Sequence, residues 1–145
     1  MSDSDLINLY SKRILALAAD IPHTDRLDNP TATVRRRSPL CGSTVTVDVV
    51  LSDGVITGYG QDVKACALGQ ASAAIAGAAM IGRTRAEVEL ARDELKAMLK
   101  ADGPVPSAPF EGYEVLLPAR DYKNRHASIL LALEATAEAI AEAAA

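Results

Sequence analysis

The stretch that most restricts the fold is a β-branched run that doubles back on itself. From Thr44 to Leu51 the chain reads Thr, Val, Thr, Val, Asp, Val, Val, Leu, and side chains branched at Cβ suit pleated backbone better than helical backbone. Ser52-Asp53-Gly54 follows, and Asp-Gly takes up the positive φ of a tight hairpin turn. Val55 to Val63 then returns as the partner strand. Thr31 to Arg37 supplies a third strand, an edge blunted by the charge of Arg35, Arg36 and Arg37. Those arginines read as a solvated strand end or, more sharply, as a docking patch for an acidic partner. Gly58 and Gly60 make no nucleotide fingerprint, since no third glycine opens a helix in register.

Helical signals surround this sheet. Leu6, Tyr10, Ile14 and Leu17 recur at helical spacing behind the capping residues Ser2, Ser4 and Asp5, which predicts an N-terminal helix ending near Asp20, before Pro22. His23 falls in the loop that follows and reads as a surface residue. A helix of small residues is predicted from about Cys66 to Ile81, with Gly82 as its stop. Thr84-Arg85-Ala86-Glu87 has the capping-box pattern and opens another helix to about Lys100, with Val88, Ala91, Leu95, Met98 and Leu99 as its buried stripe. Residues 102–109, with three prolines and a glycine, read as a surface loop, and Phe110, Tyr113, Val115, Leu116 and Leu117 as a crossing packed on the core and punctuated by Pro118. Asn124 is the expected cap of a last helix carrying Ile129, Leu133, Thr136 and Ile140 on one face. The expected fold is α+β: a small three-stranded antiparallel sheet packed on one face by helices, in a single domain over 1–145.

The balance of charge narrows the partners. With 145 residues and a net charge of −4, the chain gives no reason to expect nucleic acid or an anionic membrane as its main partner. No segment is long and apolar enough to span a bilayer, and the first residues are polar and acidic, so a cytoplasmic location is expected. In that compartment two cysteines are metal ligands or reactive thiols sooner than a structural disulfide.

The two cysteines bracket the hairpin. Cys41 lies in Pro39-Leu40-Cys41-Gly42-Ser43 before the first strand, and Cys66 follows the second, where strand gives way to helix. Strands of similar length bring their open ends together, and the two sulfurs with them. At Cys66 the unpaired N–H groups of a helix start and the nearby Lys64 favour negative charge; a small buried hydrophobe is the plainer reading of the same residue. His126, in the first turn of the last helix, reads on pattern alone as a surface or cap residue. A redox-active disulfide is the rival use of the cysteine pair.

This order of parts resembles the IscU/SufU/NifU N-terminal family, scaffolds on which iron–sulfur clusters are assembled. The likeness runs over about Asn29 to Ile140 and rests on Cys41-Gly42-Ser43, on Cys66 opening a helix after the hairpin, and on His126 at the start of the final helix. It implies a site of Cys41, Cys66 and His126 binding zinc or iron, and a transient [2Fe–2S] cluster. It implies as partners a cysteine desulfurase that delivers sulfur and apo-proteins that receive the cluster, and a scaffold or carrier rather than an enzyme. Three departures stand out: Ser43 where the family has aspartate, His126 where it has a third cysteine, and Lys64-Ala65 in place of a glycine-rich approach to Cys66. A zinc-bound sulfur acceptor accessory to the desulfurase is the alternative, and a module that only docks partners is a third.

Overall fold

The computed structural model describes residues 10–39 and 42–144. The caps expected at Ser2, Ser4 and Asp5, together with Leu6, lie outside the described residues, and so does Cys41. The elements run α1 (Lys12–Ala19), β1 (Ala32–Arg37), β2 (Thr44–Ser52), β3 (Val55–Lys64), α2 (Ala67–Ala78), α3 (Arg85–Lys100), a 3-10 segment (Glu111–Asp121) and α4 (Lys123–Ala143). This is the expected α+β arrangement.

The sheet is an antiparallel meander in the order β1-β2-β3. Asp53 and Gly54 both take positive φ, at 52° and 78°, and close the hairpin so that Ser52 pairs with Val55. At the other end Arg37 pairs with Thr44, and Thr44 with Lys64. Alternation sorts the side chains between two faces. Val34, Val45, Val47 and Val49 are buried on the inner face, which packs against α4.

The outer face is not bare throughout. Asp48 is buried there and accepts hydrogen bonds from Arg26 Nε (2.6 Å) and Nη2 (3.0 Å), Leu27 N–H (3.1 Å) and Thr33 Oγ1 (2.6 Å). Residues 25–27 are thereby strapped across the half of this face that lies towards the hairpin turn. Gly60 is required under the strap, because a Cβ there would sit 2.6 Å from the Asp25 carbonyl oxygen.

α4 is the central element. It contacts β1, β2, α2 and α3, and Ile129, Leu133, Thr136 and Ile140 are fully buried as their spacing predicts. α2, made almost wholly of small residues, is buried nearly all round between α1 and α4. α3 starts at the predicted capping box, with both reciprocal Thr84–Glu87 bonds formed, and buries the predicted stripe.

The described N-terminal helix is capped by Ser11, whose Oγ accepts from Ile14 N–H. Two local expectations are corrected. The crossing after the proline loop is a 3-10 helix, with Pro118 inside it. α4 begins at Lys123 with Tyr122 as its N-cap and no side-chain cap bond, so Asn124 is already helical.

Candidate functional site

The hairpin register decides where the site forms. Pairing of Arg37, Thr44 and Lys64 in one row brings the β1–β2 loop to the end of β3. That loop is closed by two backbone bonds, Gly42 N–H to Ser38 O (3.0 Å) and Ser38 N–H to Ser43 O (2.7 Å), with Gly42 at φ 71°. Two residues, Ala65 and Cys66, join β3 to α2. Cys66 is the N-cap of α2 and half-buried, and its side chain makes no cap bond. The sulfur is therefore directed elsewhere.

It is directed at α4. Cys66 Sγ lies 3.5 Å from Ser128 Oγ, and Ser128 Oγ donates to Ser43 Oγ at 3.0 Å. Three elements thus contribute one side chain each to a single corner, and both serines are buried. Ser128 has one hydroxyl proton and two neighbours that could accept it. While it donates to Ser43, a protonated Cys66 donates to Ser128; an ionised Cys66 would draw the proton towards sulfur. Gly69 makes the close approach possible, since a Cβ there would stand 2.6 Å from Ser128 Oγ and 2.8 Å from the Ala65 Cβ.

His126 does not join this corner. Its Nε2 is 3.0 Å from both the Ala119 and the Arg120 carbonyl oxygens. Two carbonyls can only accept, so Nε2 carries a proton and donates to both. The ring is 2% exposed and its Nδ1 has no hydrogen-bond partner among the described residues. Residues two apart on a helix project about 200° apart around its axis, so with Ser128 turned to Cys66 the His126 side chain leaves the opposite side of α4. The structure does not bring His126, the third ligand expected from the sequence, to this corner: the α4 residue that meets Cys66 is Ser128. Position in the first turn was legible from the sequence, but rotation about the helix axis was not. A hydroxyl-bearing residue two places on was the available signal.

The described donors at the corner are one thiol and two neutral hydroxyls. Among the described residues no group of three histidine, cysteine or carboxylate side chains could hold a metal ion.

The whole fold is shared with solved structures. A nitrogen-fixing NifU-like protein (N-terminal) from Brucella abortus is 43% identical, with 97% of each chain covered and a TM-score of 0.94. A candidate iron–sulfur cluster assembly scaffold protein for the SUF system from the thermophile Fervidobacterium islandicum AW-1 superposes with a TM-score of 0.81 at 18% identity, over 92% of this chain and 98% of that one. A hypothetical protein matches at TM-score 0.83 and 21% identity, over 93% and 98%. At those two identities the likeness is one of fold. No protein-family model and no curated protein matches the chain.

Proposed function

Because the chain belongs to the NifU-like N-terminal family, related to the IscU and SufU scaffolds, we propose that it serves iron–sulfur cluster assembly as a scaffold or carrier. In this reading it takes sulfur from a cysteine desulfurase and holds iron, zinc or a transient [2Fe–2S] cluster as cargo for recipient apo-proteins. The single observation that supports the reading is the convergence of Cys66, Ser128 and Ser43 from three elements at the open end of the hairpin. Cys41, in the loop that Gly42 and Ser43 close, is proposed as the second thiolate.

The donor chemistry sets the character of the site. Thiolates are soft ligands suited to zinc, iron and clusters, whereas neutral hydroxyls are poor ones. Two thiolates leave the remaining positions around a metal to exogenous ligands, which suits cargo that must leave again. His126 has a structural part instead, since its two hydrogen bonds tie the end of the 3-10 segment to α4.

Sulfur arrival is an exchange between thiols. The Cys66 thiolate attacks the terminal sulfur of a persulfide on the donor; the new S–S bond forms at Cys66 as the donor's S–S bond breaks, and the donor cysteine departs as thiolate with the electron pair. Ser128 Oγ, 3.5 Å from the attacking sulfur, supplies a hydrogen bond to the anion.

Anaerobic incubation with ferrous iron, cysteine and a cysteine desulfurase tests the reading. Visible charge-transfer absorption with bound iron and acid-labile sulfide is expected, lost in Cys66→Ala. If the native chain retains neither iron nor sulfide nor a persulfide on Cys66, the reading fails. The second reading, a zinc-bound sulfur acceptor, draws on the donors described at the corner, one thiol and two neutral hydroxyls. Tight colourless zinc and stimulation of the desulfurase, without a cluster, would decide for it.

A further inference from the structure

Among the described residues, the outer face of the sheet is only half covered. Residues 25–27 lie over Asp48, Gly58 and Gly60, whereas the other half carries Arg35, Arg37, Thr44, Thr46, Asp62 and Lys64. Directly paired residues share a face, so the registers Arg37–Thr44–Lys64 and Arg35–Thr46–Asp62 form two adjacent rows. Arg35, Arg37 and Lys64 are all exposed. Their backbones lie within about 12 Å of one another, at most two strand spacings across and two residues along.

No ion pair occupies these three cations among the described residues; the neighbouring Arg36 projects to the other face and pairs with Glu138 at 3.2 Å. The patch carries one carboxylate, Asp62, which forms no ion pair among the described residues, so three cations are offset by one anion. The patch also borders the site. Arg37 reaches the β1–β2 loop, its Nη2 standing 3.6 Å from where a Gly42 Cβ would be, and Lys64 is two residues from Cys66. A concentration of unpaired positive charge on a chain of net charge −4 is complementary to carboxylates at short range and repels other copies of the chain little.

We infer that this open half of the outer sheet face, Arg35, Arg37 and Lys64 around Thr44 and Thr46, is a docking surface for an acidic polypeptide segment of the protein that meets Cys66. The inference rests on the proposed sulfur or cargo exchange at Cys66. An acidic protein is favoured over nucleic acid because three cations with no aromatic platform match a few carboxylates, not a phosphate chain. It is favoured over a membrane because threonines, not apolar side chains, lie between the charges.

The test uses a fluorescein-labelled deca-glutamate peptide, followed by fluorescence anisotropy at low and at physiological salt. Binding to the native chain is expected, weakened by salt, and reduced about tenfold in Arg35→Ala/Arg37→Ala/Lys64→Ala. A control triple on α3, Arg85→Ala/Arg92→Ala/Lys96→Ala, is expected to stay within about threefold of native. Absence of binding, equal binding by the patch variant, or an equal loss in the control overturns the inference. Tighter native binding of a ten-residue oligothymidylate, or of phosphatidylserine vesicles, overturns it in favour of those partners. Arg37→Glu alone provides a second perturbation, expected to weaken binding if the triple variant does not fold. Cys66→Ala separates the two readings: it should abolish sulfur loading and leave peptide binding unchanged.

Discussion

Gly69 is the position where the geometry of the corner can be tested by stability alone. Replacing it with alanine would place a Cβ 2.6 Å from Ser128 Oγ, 2.8 Å from the Ala65 Cβ and 3.3 Å from the Ser128 carbonyl oxygen. The hydroxyl could rotate away, at the cost of its bonds to Cys66 and Ser43. Ala65 and the α4 backbone have no such freedom, so α2 and α4 must separate. Overpacking of this kind costs about 1–3 kcal/mol, and loss of a buried hydrogen bond about 1 kcal/mol more. Helix propensity works the other way, favouring alanine over glycine by about 1 kcal/mol. The net expectation is a loss of about 1–3 kcal/mol, a fall in Tm of roughly 3–10 °C for a domain of this size. Circular dichroism melts of native, Gly69→Ala, Ser128→Ala and the double variant form a cycle. Because Ser128→Ala removes the nearest clashing atom, it should cost clearly less in the Gly69→Ala background than in the native one. A rise in Tm for Gly69→Ala, or strict additivity in the cycle, would refute the packing described for this corner.

Ser128→Cys should place a further thiol beside Cys66; zinc is then expected to leave about tenfold more slowly in competition with a chromophoric chelator, and an unchanged rate would mean that residue 128 does not face the metal. Burial alone would raise the Asp48 carboxyl, but the Arg26, Thr33 and Leu27 hydrogen bonds hold it below the ordinary aspartate range. Its contribution to stability is therefore present above the unfolded-state pKa, about 3.9, and lost as pH falls through the lowered folded value; Asp48→Asn should flatten the acid limb of a stability–pH curve between those two values. Burial pushes Tyr59 up to about 12, opposed by its bond to Thr136, and raises Tyr113 as well. Their stabilising effect is complete below about pH 10 and declines as pH rises through the folded values. Ultraviolet titration should accordingly show two of the four tyrosines ionising only above the ordinary tyrosine range. Thr84→Ala, which removes the side-chain half of a formed capping box and leaves the backbone N–H of residue 84 bonded to Glu87, should cost about 1 kcal/mol, read as a Tm lower by roughly 2–4 °C.

The parts of the fold set by local chemistry were legible in the sequence. The Thr44–Val63 hairpin declares itself through β-branching and Asp-Gly, and α3 through Thr84, Glu87 and an unbroken apolar stripe. Helix starts without a polar cap were harder: Tyr122 caps α4 with its backbone alone, so Asn124 stood out as the stronger local signal. His126 rather than Ser128 was expected at the site, and the reason it does not reach there is tertiary. Which side of α4 faces Cys66 depends on how α2 and α4 pack, and that is decided by Gly69, whose missing side chain carries no local signal of the partner it admits. The covering of half the outer face was likewise out of reach, since it depends on Asp48, a carboxylate in the middle of an apolar strand, collecting Arg26, Leu27 and Thr33 from elsewhere in the chain.

The short passage from β3 into α2 has a mechanical consequence. Only Ala65 and Cys66 separate the last sheet residue from the first helical one, and both carbonyls are taken by Gln70, the Ala65 oxygen by its side chain at 2.9 Å and the Cys66 oxygen by its backbone N–H at 2.9 Å. Sheet and helix grip the cysteine from either side, so its Cα cannot shift without dragging a β-strand or a buried helix along. Cys66 therefore works as an anvil. Under the proposed function, atoms of different size arriving at the sulfur would be met by rotation of the surrounding hydroxyls and by the incoming molecule's own adjustment, while the position of exchange would stay constant from one partner to the next.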